Sequence, residues 1–122
     1  MAGKIIADTL EHSTAGSLTT DYVVNGSAKA YSYVNADATI YLSISHNIAS
    51  ITDNGTGDFI NNLTSSFSHA SCVFNTNAAA TGTACFGHSR TATASSYRQQ
   101  TYNSSGTIID RACNSAAHGD LA

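Results

Sequence analysis

The stretch Asp53-Asn54-Gly55-Thr56-Gly57-Asp58 constrains the fold more than any other part of the chain. The pair Asn-Gly accepts the positive backbone angles of a tight two-residue turn, and such a turn has the twist that two antiparallel strands need. Apolar side chains recur at every second position before the turn, at Ile40, Leu42 and Ile44, and after it Phe59, Asn61 and Leu63 share one face. This alternation is typical of strands with one buried face. The sequence therefore predicts a β-hairpin centred on Asn54-Gly55.

Short strand patterns recur along the rest of the chain at intervals of about 8 to 12 residues. They are separated by turn residues and fall at residues 28–34, 39–46, 59–67, 72–75, 83–89, 96–102 and 107–113. Residues 22–24 predict a further short strand, residues 76–82 a loop, residues 90–95 a loop or strand, and residues 114–118 a strand or coil. No segment has the period of an ordinary helix. About eight short strands predict an all-β fold, an antiparallel β-sandwich that is jelly-roll-like.

Three positions depart from a simple strand pattern. The apolar residues Ile48 and Ile51 fall on opposite faces of one strand, which predicts a bulge or a strand break near Ala49-Ser50. Asn61 occupies a position on the buried face, so we expect either a hydrogen-bonded core amide or a strand that faces another subunit. Gly87 lies within a strand pattern and predicts a close approach of another backbone.

The composition predicts a thin core. Leu, Ile, Val and Phe together make up about a fifth of the residues, and charged residues make up 11%, against about 25% in ordinary globular domains. We expect residues 26–122 to form a single sandwich domain and residues 1–25 to form an extended N-terminal arm for attachment or oligomer contact. Neighbouring copies can add buried area and cover strand edges, so a homo-oligomer is expected.

The chain carries no motif that predicts catalysis or a bound metal. It has no G-x-S-x-G, H-E-x-x-H or phosphate-loop sequence, and its five histidines share no metal-like spacing. Cys85-Phe86-Gly87-His88 supplies half of a zinc site without a second half. The three cysteines cannot all pair within one chain, and we expect partly buried thiols. The prediction is a protein that is not an enzyme and holds no cofactor or metal.

Charge and hydropathy exclude two classes of partner. The net charge is −3 with five Lys and Arg residues, so no basic stripe is present to neutralise phosphates, and nucleic acid is not an expected partner. No apolar run approaches the roughly 20 residues that span a bilayer, so membrane insertion is not expected. The first eight residues are too soon interrupted for a signal peptide, and synthesis in a cytoplasm without export is predicted.

Two segments of the chain resemble a known family. Gly26-Ser27-Ala28-Lys29-Ala30-Tyr31 and, above all, residues 45–59 look like a module of tail fibres and other virion proteins of tailed bacteriophages, particularly marine ones. The resemblance extends from about residue 26 onward and is most specific in the hairpin. The chain departs from the family where it lacks a Trp near Tyr31, an aromatic near His46 and an apolar residue near Asn61. Its end also differs, since Ala117-His118-Gly119-Asp120 replaces a sequence of the form apolar-Phe-Gly-Asp.

The resemblance implies a virion structural protein of the tail-fibre type, expected as a trimer, that contacts a host-surface glycan or protein. Tyr97, Arg98 and Tyr102 are the candidate receptor contacts, because aromatic and Arg side chains dominate binding hot spots; the alternative is that they pack a sheet. Only about 25 residues precede the module, whereas a tail fibre usually has a long N-terminal shaft. The second hypothesis is therefore a capsid decoration protein or short head fibre, bound to the phage shell through the arm.

Overall fold

The computed structural model describes residue 3 and residues 6–71, 73–78 and 85–122. Ten strands and one short helix follow one another in this part of the chain: β1 (Thr9–His12), β2 (Gly16–Thr19), α1 (Thr20–Gly26), β3 (Ala30–Asn35), β4 (Tyr41–His46), β5 (Ile48–Asp53), β6 (Asp58–Leu63), β7 (Val73–Ala78), β8 (Cys85–Ala92), β9 (Ser96–Asn103) and β10 (Cys113–His118). The strand pairs among them are all antiparallel.

Eight of these strands form two four-stranded sheets that pack face to face. The first sheet has the order β4-β3-β10-β7, and the second has the order β5-β6-β9-β8. β1 and β2 pair only with each other, as a separate two-stranded ribbon. The prediction of an all-β antiparallel sandwich is confirmed. The first and last strands of the sandwich, β3 and β10, lie side by side, as they do in a jelly roll.

The predicted hairpin is present and joins β5 to β6. The predicted bulge is also present, because the register of the pair shifts between Ile48 and Ser50. The turn itself differs from a two-residue Asn-Gly turn. Positive φ angles occur at Gly55 (109°) and Gly57 (62°), and the Asn54 N–H donates to the Asp58 carbonyl at 2.9 Å. Four residues therefore separate the paired strands.

The strand that enters the hairpin is β5, so the expectation that residues 40–44 form its first arm was wrong. Those residues belong to β4 of the first sheet, and the chain changes sheet at Asn47, which has a φ of 56°. Asn tolerates this left-handed conformation better than most residues. Its side-chain amide makes two hydrogen bonds to the backbone of Ser65: Nδ2 donates to the carbonyl at 3.0 Å, and Oδ1 accepts from the N–H at 2.7 Å.

Residues 22–24 lie in α1, so the short strand predicted there was wrong. β2 pairs with β1 through Thr19, and none of the described strands lies beside the segment that follows. Without a partner strand, Val23 and Val24 have no cross-strand side chains to pack against, so their β propensity does not produce a strand. Asp21 in the first turn favours a helix start by its charge.

Two boundaries in the second half of the chain also differ from expectation. β7 continues to Ala78, into the predicted loop, because Asn75 and Asn77 pair with β10; residues 79–84 lie outside the described residues. The last strand begins at Cys113 instead of ending there, and it takes in residues 114–118. The segment before it crosses the hairpin loop, where Gly57 N–H donates to Asp110 Oδ1 at 2.6 Å.

The edges of the two sheets meet at Gly87. A Cβ at this position would lie 2.6 Å from Cγ2 of Thr76 and 2.9 Å from its carbonyl, so only glycine fits. The hydroxyls of Thr76 and Ser89 are 3.0 Å apart beside it. The predicted close approach of another backbone is therefore confirmed.

The core has polar side chains at its centre. Apolar clusters lie at the two ends of the sandwich, one around Phe67 and Tyr97 and the other around Val34 and Phe59. The inward positions between them hold a set of side chains that we call the polar layer: Ser32, Asn61, Ser115 and the hydroxyl of Tyr97.

Hydrogen bonds within the polar layer connect the two sheets. Ser32 Oγ donates to Asn61 Oδ1 at 2.9 Å and lies 2.8 Å from Ser115 Oγ, which in turn lies 2.8 Å from the Tyr97 hydroxyl. Asn61 is fully buried, so its prediction as a hydrogen-bonded core amide is confirmed. Its Nδ2 atom has no hydrogen-bond partner within the described residues.

The polar layer predicts the effect of removing one hydroxyl. Tyr97→Phe deletes a buried hydrogen bond, which contributes about 0.5–1.5 kcal/mol net, so the free energy of unfolding should fall by about 1 kcal/mol. Tyr31→Phe, on the exposed outer face of the first sheet, is the matched control and should change it by less than about 0.5 kcal/mol. Urea unfolding measures both variants. Equal midpoints for wild type and Tyr97→Phe would contradict a role of this hydroxyl in stability.

Candidate functional site

The outer face of the second sheet brings polar and aromatic side chains together. On β9 every second residue points away from the core, and the same holds for the facing positions of β6 and β8. The register places Asp58 opposite Gln100, His88 opposite Gln100 and Phe86 opposite Tyr102. We call this set the polar-aromatic face; its members are Asp58, Phe86, His88, Arg98, Gln100 and Tyr102.

The polar half of the face is built around the carboxylate of Asp58. Arg98 donates from Nε to Asp58 Oδ1 at 2.6 Å and from Nη2 to Oδ2. Gln100 Nε2 donates to Oδ2 at 2.7 Å, and Asn54 Nδ2 donates to Oδ1 at 3.5 Å. The hydrogen bonds from Arg98 outweigh the burial of the carboxyl and lower the pKa of Asp58. This paired geometry fixes the Arg98 guanidinium in one orientation.

The aromatic half of the face lies beside this ion pair. The Tyr102 hydroxyl donates to Gln100 Oε1 at 2.7 Å, which joins the ring to the Asp58 network. Phe86 and Tyr102 stack with centroids 5.2 Å apart and planes at 10°, and His88 meets Tyr102 edge-on at 6.5 Å. Phe86 is 48% exposed. The face thus offers apolar ring surface next to a cation and to hydrogen-bonding groups, a combination suited to binding a polar molecule.

The structure separates the three predicted contact residues. Arg98 and Tyr102 lie on the polar-aromatic face, but Tyr97 is fully buried in the core. Tyr97 therefore has no surface to offer a receptor, and its assignment as a contact was wrong. The reason is the two-residue period of a strand: positions 97 and 102 differ by an odd number and must face opposite sides. The same period in 85–89 would have added Phe86 and His88, which sequence reasoning missed.

A second candidate surface is the N-terminal arm, here residues 6–28. None of its described side chains is buried. Large apolar side chains are exposed along it: Ile6, Leu10, Leu18, Tyr22, Val23 and Val24. A lone two-stranded ribbon and a helix of seven residues are each marginal in water without packing. The described part of the arm thus exposes apolar side chains on both the ribbon and the helix.

Other kinds of site find no support in the part of the chain that the structure describes. No group of three or more His, Cys, Asp or Glu side chains lies close enough there to hold a metal ion. Cys113 is free and buried, and burial raises the pKa of its thiol to about 12; Cys72 lies outside the described residues. Among those residues, no helix has the length and apolar character needed to cross a membrane.

The ion pair on the polar-aromatic face predicts a pH-dependent stability. Because Arg98 lowers the pKa of Asp58, its contribution is present where the carboxyl is normally ionised and is lost as the pH falls through that lowered pKa. Arg98→Gln should therefore unfold at lower urea than wild type near pH 7, and the difference should shrink as the pH falls below about 4.

The control for this prediction is Arg111→Gln. The Arg111–Asp37 pair is exposed and 3.7 Å apart, so its loss should change the urea midpoint less. A difference between Arg98→Gln and wild type that stays constant as the pH falls would contradict the assigned role of Asp58 ionisation.

Comparison with known proteins assigns no role to either surface. No family model, no curated protein and no solved structure matches the chain. The function of the chain is therefore inferred from its residues and from the geometry of the two surfaces.

Proposed function

We propose that the chain is a non-enzymatic structural protein of a tailed-bacteriophage virion, of the tail-fibre type. It forms a homo-oligomer, with a trimer favoured, and it contributes to attachment to a glycan or protein on the host surface. The resemblance of residues 26–31 and 45–59 to virion modules supports the class of protein. The observation that carries the proposal is the arm, whose apolar side chains are exposed along its length.

The arm supports assembly because its exposed apolar surface is continuous. Leu10 and Leu18 face each other across the ribbon, and α1 follows directly with Tyr22 exposed to 69%. Burial of apolar area contributes roughly 25 cal/mol per Å², so a partner that covers these side chains stabilises the arm and the complex together. A sandwich with a thin core gains most from such a partner.

The polar-aromatic face supports the attachment role. Arg98 is held in one orientation by Asp58, and Phe86, Tyr102 and His88 present ring surface beside it. Preformed polar groups next to aromatic rings lower the entropy lost on binding. A saccharide or a protein loop can use both, through stacking on the rings and hydrogen bonds to the guanidinium.

The second candidate function is a capsid decoration protein or short head fibre. The same arm favours it, because an apolar segment that leaves a folded sandwich can anchor that sandwich to a shell as well as to a tail. The two functions differ in the position of the protein on the particle.

Immunogold labelling of intact particles tests the proposed function and separates it from the alternative. With antibodies against the sandwich, we expect gold at the tail, on particles of the phage that encodes the chain. Label over the head would select the decoration function. Particles that carry no label while the antibody binds the purified chain would overturn both.

The attachment role predicts a loss of cell binding when the face is altered. Phe86→Ala and His88→Ala remove exposed ring surface, and we expect each to weaken binding of the labelled chain to host cells about tenfold, in the range of a single hot-spot residue. Thr56→Ala, in the exposed loop at the end of the same sheet, is the control and should bind as wild type does. Unchanged binding by both face variants, with unchanged circular dichroism, would remove this face as the contact surface.

A further inference from the structure

We infer that the arm of one copy docks on the outer face of the first sheet of a second copy. The inference rests on the proposed function, because it names the surface through which the homo-oligomer forms. It follows from two exposed apolar surfaces in the same chain and from the position of the arm's root, which we define as the residues 26–29 that join the arm to β3.

The outer face of the first sheet is unusually apolar for a surface. Among its outward residues Ile44 is 63% exposed, Val73 68% and Tyr31 44%. Tyr31, Tyr33, Ile44, Asn75, Asn114 and Ala116 line an open depression of about 460 Å³ that crosses the sheet. Large exposed apolar side chains around a depression are a feature of interaction sites.

The arm matches this face in chemistry and in size. Its apolar side chains lie on both the ribbon and α1, and Tyr22 is an exposed ring of the type that anchors interfaces. The described arm has 23 residues, 6–28, and a standard interface uses roughly 20–30 residues on each side. Its acidic residues Asp8, Glu11 and Asp21 would meet no carboxylate, because none of the described outward residues of the first sheet is Asp or Glu.

The root of the arm points to a second copy as the occupant. Lys29 N–H donates to the Ala117 carbonyl at 2.8 Å, and His118 Nδ1 lies 3.1 Å from the Gly26 carbonyl. These contacts hold the root at the end of β10, beside the apolar face. Among its described residues the arm then continues with no buried side chain, and Tyr31 and Ile44 on the face of the same copy are exposed. That face is therefore accessible to the arm of a neighbour.

The outer face of the second sheet is the competing surface. Arg90 and Arg98 could attract the acidic arm, but Arg98 is already paired with Asp58. An exposed charge pair contributes less to binding than the burial of one Leu or Val side chain. The arm therefore binds the more apolar of the two faces, which is the outer face of the first sheet.

Sedimentation equilibrium of the full chain tests the inference. Ile44→Glu places a charge on the first-sheet face at a side chain that is already exposed, and we expect the dissociation constant of the oligomer to rise at least tenfold. Phe86→Glu makes the matched change on the second-sheet face and should change the dissociation constant of the oligomer by less than about twofold. The reverse pattern, or no effect of Ile44→Glu on an existing oligomer, would overturn the inference.

Cross-linking then identifies the copy that supplies the arm. A chain with Tyr22→Cys and a differently tagged chain with Ile44→Cys, each also carrying Cys72→Ser, Cys85→Ser and Cys113→Ser, are mixed and oxidised. A disulfide between the two tags is expected. If a chain with both cysteines instead closes on itself as a monomer, the arm covers its own face and the inference is wrong.

Removing residues 1–27 separates failure of this inference from failure of the proposed function. If that deletion abolishes the oligomer but Ile44→Glu does not, the arm still assembles the protein and only the docking face is wrong. If the oligomer survives the deletion, the inference and the assembly role of the arm both fail, while gold labelling of particles independently tests the virion role.

Discussion

The hydrogen bonds of Ser115 and Ser32 connect the two sheets at the centre of the sandwich, where a larger domain would have apolar side chains. Ser115 on the first sheet bonds to Tyr97 on the second sheet, and Ser32 on the first sheet bonds to Asn61 on the second sheet. These bonds are directional, so they fix the orientation of one sheet relative to the other. Apolar packing between small residues such as Ala30 and Ala117 restricts that orientation less. Their stabilising effect is limited, because a buried polar atom without a partner, such as Asn61 Nδ2, costs about 1–3 kcal/mol.

The position of the large apolar side chains follows from this core. Inward positions on β3 and β10 hold Ala, Ser, Val and Cys, while Ile44, Val73 and Phe86 lie on outer faces and Tyr22 and Val24 on the arm. A chain of 122 residues buries only about two thirds of its unfolded surface even with an ordinary core. The apolar area missing inside the sandwich is present outside it, in surfaces that a second copy can cover. Covering these surfaces with a second copy, as proposed above, would add buried apolar area to the fold.

The sequence allowed prediction of features that depend on a few neighbouring residues. The hairpin at Gly55, the bulge near Ser50 and the glycine at position 87 each follow from local backbone preferences. The sheet change at Asn47 and the helix at Val23 could not be predicted in this way, because each depends on which strands lie nearby in space. Tyr97 is a different case. The strand period alone predicts that Tyr97 and Tyr102 point to opposite faces of their sheet, but which of the two points to the core depends on the partner sheet.

The two outer faces of the sandwich differ in a way that assigns them different roles. On the second sheet the charged groups are bonded to one another around Asp58 and the rings are stacked, so the surface keeps its shape without a partner. On the first sheet Ile44 is exposed at the rim of an open depression and Val73 is exposed elsewhere on the same sheet. This surface loses apolar exposure only when something covers it. Covering the first sheet with a neighbour's arm leaves the second sheet of every copy outward. An oligomer built this way presents several copies of the polar-aromatic face at once, and multivalent contact strengthens attachment even where each single contact is weak.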